Sequence, residues 1–154
     1  MSVRLEIATE IAAAPEMVWH VLADWEGQSR WIPLTTVRVD TPHRTGLGVR
    51  VAALSGFWLG RLPVGLLDRF IVTGWSPPDG DRAELEILHL GPYFTGEGVF
   101  RLEGHAGGTT VTCTEVFTVP GGPLGNLLAQ LALPVLRAGF ARSLDDFAAL
   151  AAAT

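Results

Sequence analysis

A run of strand-patterned segments from Thr35 to Pro120, closed by one long apolar segment from Pro123 to Ala152, limits the architectures open to this chain more than any other feature. A sheet with one apolar face must bury that face, and a single helix long enough to cross it is the simplest cover. The order is a strand, two short helices, a long series of strands and a closing helix. It predicts an α+β fold in which a curved antiparallel sheet grips the last helix. Such a grip often leaves a space between sheet and helix, and the functional question is what fills it.

The local patterns agree with that order. Val3, Leu5, Ile7 and Ile11 alternate with Arg4, Glu6 and Glu10, as in a strand with one buried side. Pro15 suits the first position of a helix with an apolar stripe of Met17, Val18, Val21 and Leu22. Asp24 can cap a second short helix, which Pro33 ends. Further strands are expected near Thr35–Thr41, Gly48–Ser55, Asp68–Trp75, Arg82–Leu90, Phe94–Glu103 and Thr109–Val119, separated by turn residues. In the last segment Leu124, Leu128, Leu131, Val135, Leu144, Phe147 and Ala151 recur close to a helical period. Pro134 lies inside it, removing one backbone donor and predicting a bend that suits a curved sheet.

At 154 residues the chain reads as one domain, residues 1–154. A net charge of −5, with no basic run, argues against nucleic-acid partners. The longest uncharged stretch, Val116 to Leu136, is interrupted by Pro120, Pro123 and Pro134, so no transmembrane segment is expected. Met1 to Glu10 has no apolar signal-peptide region. The lone Cys113 rules out an intramolecular disulfide and fits a reducing cytoplasm, where it reads as a small buried hydrophobe. No metal-ligand spacing, phosphate loop, dinucleotide fingerprint or nucleophile elbow is present, so no metal and no cofactor is expected. Any chemistry would be proton transfer, or the positioning of a reactive ligand.

The last three strands can be set in register. A tight hairpin at Gly91–Pro92 places His89 opposite Phe94, Ile87 opposite Gly96 and Leu85 opposite Gly98. A turn at His105–Gly108 places Gly98 opposite Glu115 and Gly96 opposite Phe117. Glu84, Glu86, Arg101, Glu103, Thr110, Thr112 and Thr114 then point outward, and Glu115 stands on the apolar side. Dry burial of an unpaired carboxylate costs several kcal/mol, so Glu115 needs water, a cation or a proton. Gly96 and Gly98 beside it either open a ligand space or mark bulges and bending of the sheet. His89 either reaches that space or caps the strand end. For Asp68–Trp75 two faces compete, and the one burying Trp75 also brings Arg69 beside His89 as a counter-charge. Tyr93 points outward in this register.

Leu54 to Leu67 is unusually apolar for a connection and contains Trp58. It could fold over a pocket mouth as a lid, pack a partner subunit as a homodimer face or a membrane surface, or pack on the last helix. Trp25 and Trp31 could form the opposite rim or sit in the core. The candidate ligand-binding residues are Glu115, His89, Arg69, Trp75, Ile87, Phe94, Gly96, Gly98, Phe117, Trp58, Trp31 and Leu131; no catalytic residue is assigned.

Five stretches carry a resemblance to a known family: IAAAPEMVWHVLADWEGQSRWIP, DRFIVTGWSPP, TGEGVFRLE, TTVTCTEVF and GPLGNLLAQLALPVLRAGFARSLDDFA. They resemble the SRPBCC superfamily, most closely its polyketide cyclase/dehydrase-like branch, over nearly the whole chain. The resemblance implies the helix-grip fold of START lipid-transfer domains and the birch-pollen allergen. In that fold a curved sheet of about seven strands wraps the C-terminal helix around an apolar cavity. It implies a small hydrophobic ligand such as a polyketide, lipid or aromatic metabolite. The alternatives are a cyclase or dehydratase moving protons through Glu115 or His89, and an interaction protein dimerising through Leu54–Leu67. The family has no fixed catalytic motif that maps onto these positions, and fold alone does not choose among the three. Monomer and homodimer both remain open.

Overall fold

The computed structural model describes all residues except Met1 and Gly60, and all side chains of the strands except Phe57, Trp58, Leu59 and Pro63. Strand β1 (Val3–Ile11) leads into helix α1 (Pro15–Ala23) and a short 3-10 helix (Glu26–Arg30). Six strands follow: β2 (Thr35–Val39), β3 (Arg50–Leu59), β4 (Leu62–Asp79), β5 (Arg82–Pro92), β6 (Thr95–His105) and β7 (Gly108–Thr118). Helix α2 (Gly122–Ala152) closes the chain. The seven strands form one antiparallel sheet in the order β1-β7-β6-β5-β4-β3-β2. The two early helices carry the chain from one sheet edge to the other. Asp24 accepts a hydrogen bond from the Gly27 amide at 3.2 Å, as expected of a cap before the short helix. This is the helix-grip fold the sequence predicts.

The core lies between the inner face of the sheet, α1 and the C-terminal part of α2. Val18, Val21 and Leu22 of α1 meet Leu85, Leu102 and Val111 of the sheet and Leu144, Phe147 and Ala151 of α2. The apolar stripe expected along all of α2 is buried only in that last part. Leu144 is 1% exposed, whereas Leu131 is 68% and Val135 is 75% exposed. Periodicity gives both halves of the helix an apolar face, but the sheet reaches only one of them. By length and composition alone α2 could cross a membrane; its last three turns are instead packed into the core. Pro134 lies within the continuous helix and leaves the Gln130 carbonyl without its helical donor.

Three expectations about the strands need correction. Leu54 to Leu67 is not a loop: β3 and β4 continue as a hairpin through Gly56–Gly65 and beyond. Strand propensity in Phe57 to Leu59 and backbone pairing with Leu62 to Val64 extend both strands. The turn between β5 and β6 is wider than two residues, because Pro92 stays on β5 and pairs with Asp68 of β4. His89 therefore faces Gly96, and Ile87 faces Gly98. This shift of two residues leaves every side chain on its expected side. Finally, β4 presents both of its faces inward in turn. Phe70 and Val72 pair with His89 and Ile87, a register shift follows between Val72 and Gly74, and Trp75 then pairs with Leu85. One extra residue reverses the alternation, so Phe70, Val72 and Trp75 all point inward while Arg69 points outward.

Candidate functional site

Where α2 stands off the sheet, an open apolar cleft of about 480 Å³ remains. Phe94, Phe117 and Val119 line it from the sheet side, and Leu128, Ala132 and Phe140 from the helix. Phe94 bridges its floor, with ring centroids 5.0 Å from His89 and 5.8 Å from Phe117. Asp68 of β4, His89 of β5 and Glu115 of β7 break this apolar wall, and Tyr93 lies at its rim.

These three side chains form one chain of hydrogen bonds. His89 Nδ1 lies 2.8 Å from Asp68 Oδ1, and His89 Nε2 lies 3.0 Å from Glu115 Oε2. All three are largely buried. Burial disfavours a charged imidazole, but hydrogen bonds to Asp68 and Glu115, reinforced by their negative charge, outweigh it and raise the His89 pKa to about 9. At neutral pH the ring is therefore an imidazolium donating from both nitrogens, one cation between two carboxylates. Cys113 Sγ sits 3.9 Å from Glu115 Oε1. Burial, and then the Glu115 charge, push its thiol well above the ordinary range, so Cys113 is no thiolate nucleophile.

The backbone makes room for this cluster. Gly98 pairs with Glu115, and a Cβ on Gly98 would stand 2.7 Å from Glu115 Oε1 and 2.9 Å from Ile87 Cγ1. The missing side chain therefore houses the carboxylate, not a ligand. Gly96 has φ +153°, and a Cβ there would collide with the Val116 carbonyl oxygen. It marks close approach of β6 and β7 where the sheet bends.

Of the candidate residues, the structure gathers His89, Glu115, Phe94 and Phe117 around the cleft. Others belong elsewhere. Arg69 is on the opposite face of the sheet, so the counter-charge of Glu115 is His89. Trp75 packs edge-on against Trp19 at 5.0 Å, and Trp31 packs against Phe147 at 5.0 Å, both within the core. Ile87 is a buried core residue. Leu131 faces solvent one position from the cleft-lining Ala132. The side chain of Trp58 lies outside the described residues. Sequence reasoning missed Asp68, which the other face of β4 would have supplied, and Tyr93, which rims the cleft because the wider turn reorients it. Among the described residues no three carboxylate, imidazole or thiol groups are arranged to hold a metal ion.

A curved antiparallel sheet gripping a long helix, with an apolar cleft between them, defines the class of helix-grip proteins. The chain belongs to the family described as polyketide cyclase / dehydrase and lipid transport, whose model matches residues 2–152. No curated protein matches it by sequence. Among solved structures it is similar to the ZhuI aromatase/cyclase of a Streptomyces species, at 17% identity and TM-score 0.72, covering 98% of this chain and 94% of that one. It is also similar to TTHA0849 of Thermus thermophilus, at 18% identity and TM-score 0.67, covering 99% and 98%. A third is SA2116 of Staphylococcus aureus, of unknown function, at 12% identity and TM-score 0.69, covering 98% and 94%. At these identities the likeness is one of fold.

Proposed function

We propose that the protein binds a small, largely apolar molecule with one polar end in the cleft between β4–β7 and α2. The observation that carries this reading is an apolar wall into which one hydrogen-bonded cluster, Asp68, His89 and Glu115, is set, with Tyr93 at the rim. Apolar surface supplies affinity, and a few convergent polar groups fix orientation. A polyketide, lipid or aromatic metabolite would lay its apolar body against Phe94, Phe117 and Leu128 and turn a hydroxyl toward the carboxylates of Asp68 and Glu115. Thermal-shift and native mass spectrometry screens should find ligands of this kind, and Phe117→Asp should abolish their binding. Apolar ligands that bind Phe117→Asp as well as they bind the parent protein would sink the proposal.

The hydrogen-bonded cluster favours a second reading, a cyclase or dehydratase. Glu115 would take a proton from the carbon beside a ketone while the His89 imidazolium gives one to the oxygen of the attacked carbonyl. Glu115, bonded directly to His89, would then return its proton to the ring, closing the cycle without net proton transfer. His89→Gln should then stop turnover of a poly-ketone substrate while changing its binding less than fivefold, an approximate bound that separates a chemical role from plain binding. Parallel loss of both would leave only the binding role.

A further inference from the structure

The outer face of the sheet, the side away from α2, carries a recess of about 640 Å³ that has no part in the cleft. The register builds it. Arg38 of β2 is opposite Ala52 of β3, and Ala52 is opposite Arg69 of β4. Two arginines thus flank one small residue, about 9.5 Å apart at the backbone across two strand spacings. Arg50, two residues before Ala52, points to the same face, and Arg61 at the hairpin end closes the recess. Next to this row lies Thr36–Leu54–Leu67, whose two leucines are apolar. Leu54 is only 1% exposed although it faces away from the main core, so the recess has a real apolar floor.

The charge balance here differs from the rest of the same face. Arg4 is paired with Glu6 at 2.6 Å, and Arg101 with Glu84 at 2.6 Å. Around the recess four arginines meet one acid, Asp40, which Arg38 takes at 2.8 Å. Among the described residues Arg50, Arg61 and Arg69 make no ion pair. Like charges on neighbouring strands repel, and in a chain of net charge −5 this concentration of cations is local. Guanidinium forks bind phosphate and carboxylate bidentately.

We propose that this recess is a second binding site, taking a small amphiphilic anion whose phosphate or carboxylate sits over Ala52 between Arg38, Arg50 and Arg69, with its apolar part on Leu54 and Leu67. The site is independent of the cleft. Hexyl phosphate is a suitable probe, followed by amide chemical shifts of the full chain. It should shift residues 50–54 and 67–70, and inorganic phosphate should compete whereas hexanol should not. Arg38→Ala and Arg69→Ala should each weaken binding about tenfold, as expected for loss of a charge-assisted contact. Both side chains are exposed, so the variants should fold. Ala52→Leu, which keeps every charge but fills the seat, should abolish binding, whereas Glu115→Gln should leave it unchanged. Shifts confined to Phe94, Glu115 and Phe117 would overturn the proposal, as would affinities indifferent to the arginine substitutions. So would association with phosphatidylglycerol vesicles without saturable hexyl phosphate binding, since that would mean a charged surface and not a seat.

Discussion

Burial alone would hold the His89 imidazole neutral; two carboxylates, one on each nitrogen, hold it charged instead. Its folded pKa of about 9 lies above the ordinary value of 6.5. The contribution to stability is therefore complete below pH 6.5 and is lost as pH rises through about 9. Denaturation of the parent protein across this window should show a fall on the order of 2–3 kcal/mol. His89→Gln should flatten that slope and, at pH 6, cost about 3 kcal/mol by leaving two buried carboxylates without their cation. A parent profile as flat as the variant's would contradict the assignment. Gly98 is the next most constrained position. Gly98→Ala places a methyl group 2.7 Å from Glu115 Oε1, so the carboxylate must move. The expected result is a loss of about 1–3 kcal/mol together with a lower His89 pKa, read by NMR titration of the ring; an unchanged titration would show that the cluster does not need the space.

Helix α2 is two packing environments on one continuous helix. Phe147 and Leu144 are fully enclosed by sheet and α1, and Phe147→Ala should cost about 3–5 kcal/mol. Leu131 and Val135 project from the same helix into solvent, and Leu131→Ser should change stability by no more than about 0.5 kcal/mol. Equal costs at the two ends, measured by urea denaturation, would mean that the first turns are packed as tightly as the last. The β3–β4 hairpin bounds the cleft from the other side, through Leu66 and Asp68. Paired strands, and not an irregular connection, form this side of the cleft.

The fold is a curved sheet against which helix α2 packs most deeply toward its C-terminal end. Opening free energies should follow that packing. Amides of Leu124 to Leu136 should exchange with solvent faster than those of Leu144 to Ala151, and a cleft ligand should slow the first group selectively. Uniform exchange along α2, or protection unaffected by ligand, would count against a cleft gated by the helix. The outer recess and the cleft use opposite faces of β4: Arg69 serves one, Asp68 the other. One strand thereby separates two chemically distinct surfaces.

Much of this arrangement is legible in the order of residues because alternation is a local property. The β6–β7 pairing, with Gly98 against Glu115 and Gly96 against Phe117, follows from charged residues recurring on one side, and the outcome matches it. The inward placement of Glu115 and His89 follows on the same ground, while the helix-grip architecture rests on the order of elements and on the family resemblance. What local pattern cannot carry is a change of parity or of distance. The extra residue of β4 near Thr73 turns Arg69 outward and brings in Asp68, so the partner of His89 changes from an arginine to a carboxylate. An apolar period along α2 is identical whether the helix touches the sheet or stands off it. Only the three-dimensional placement of that helix, anchored by Leu144, Phe147 and Ala151, opens the space beneath Leu128 and Ala132, because contact depends on where the sheet ends and not on the helix's own pattern.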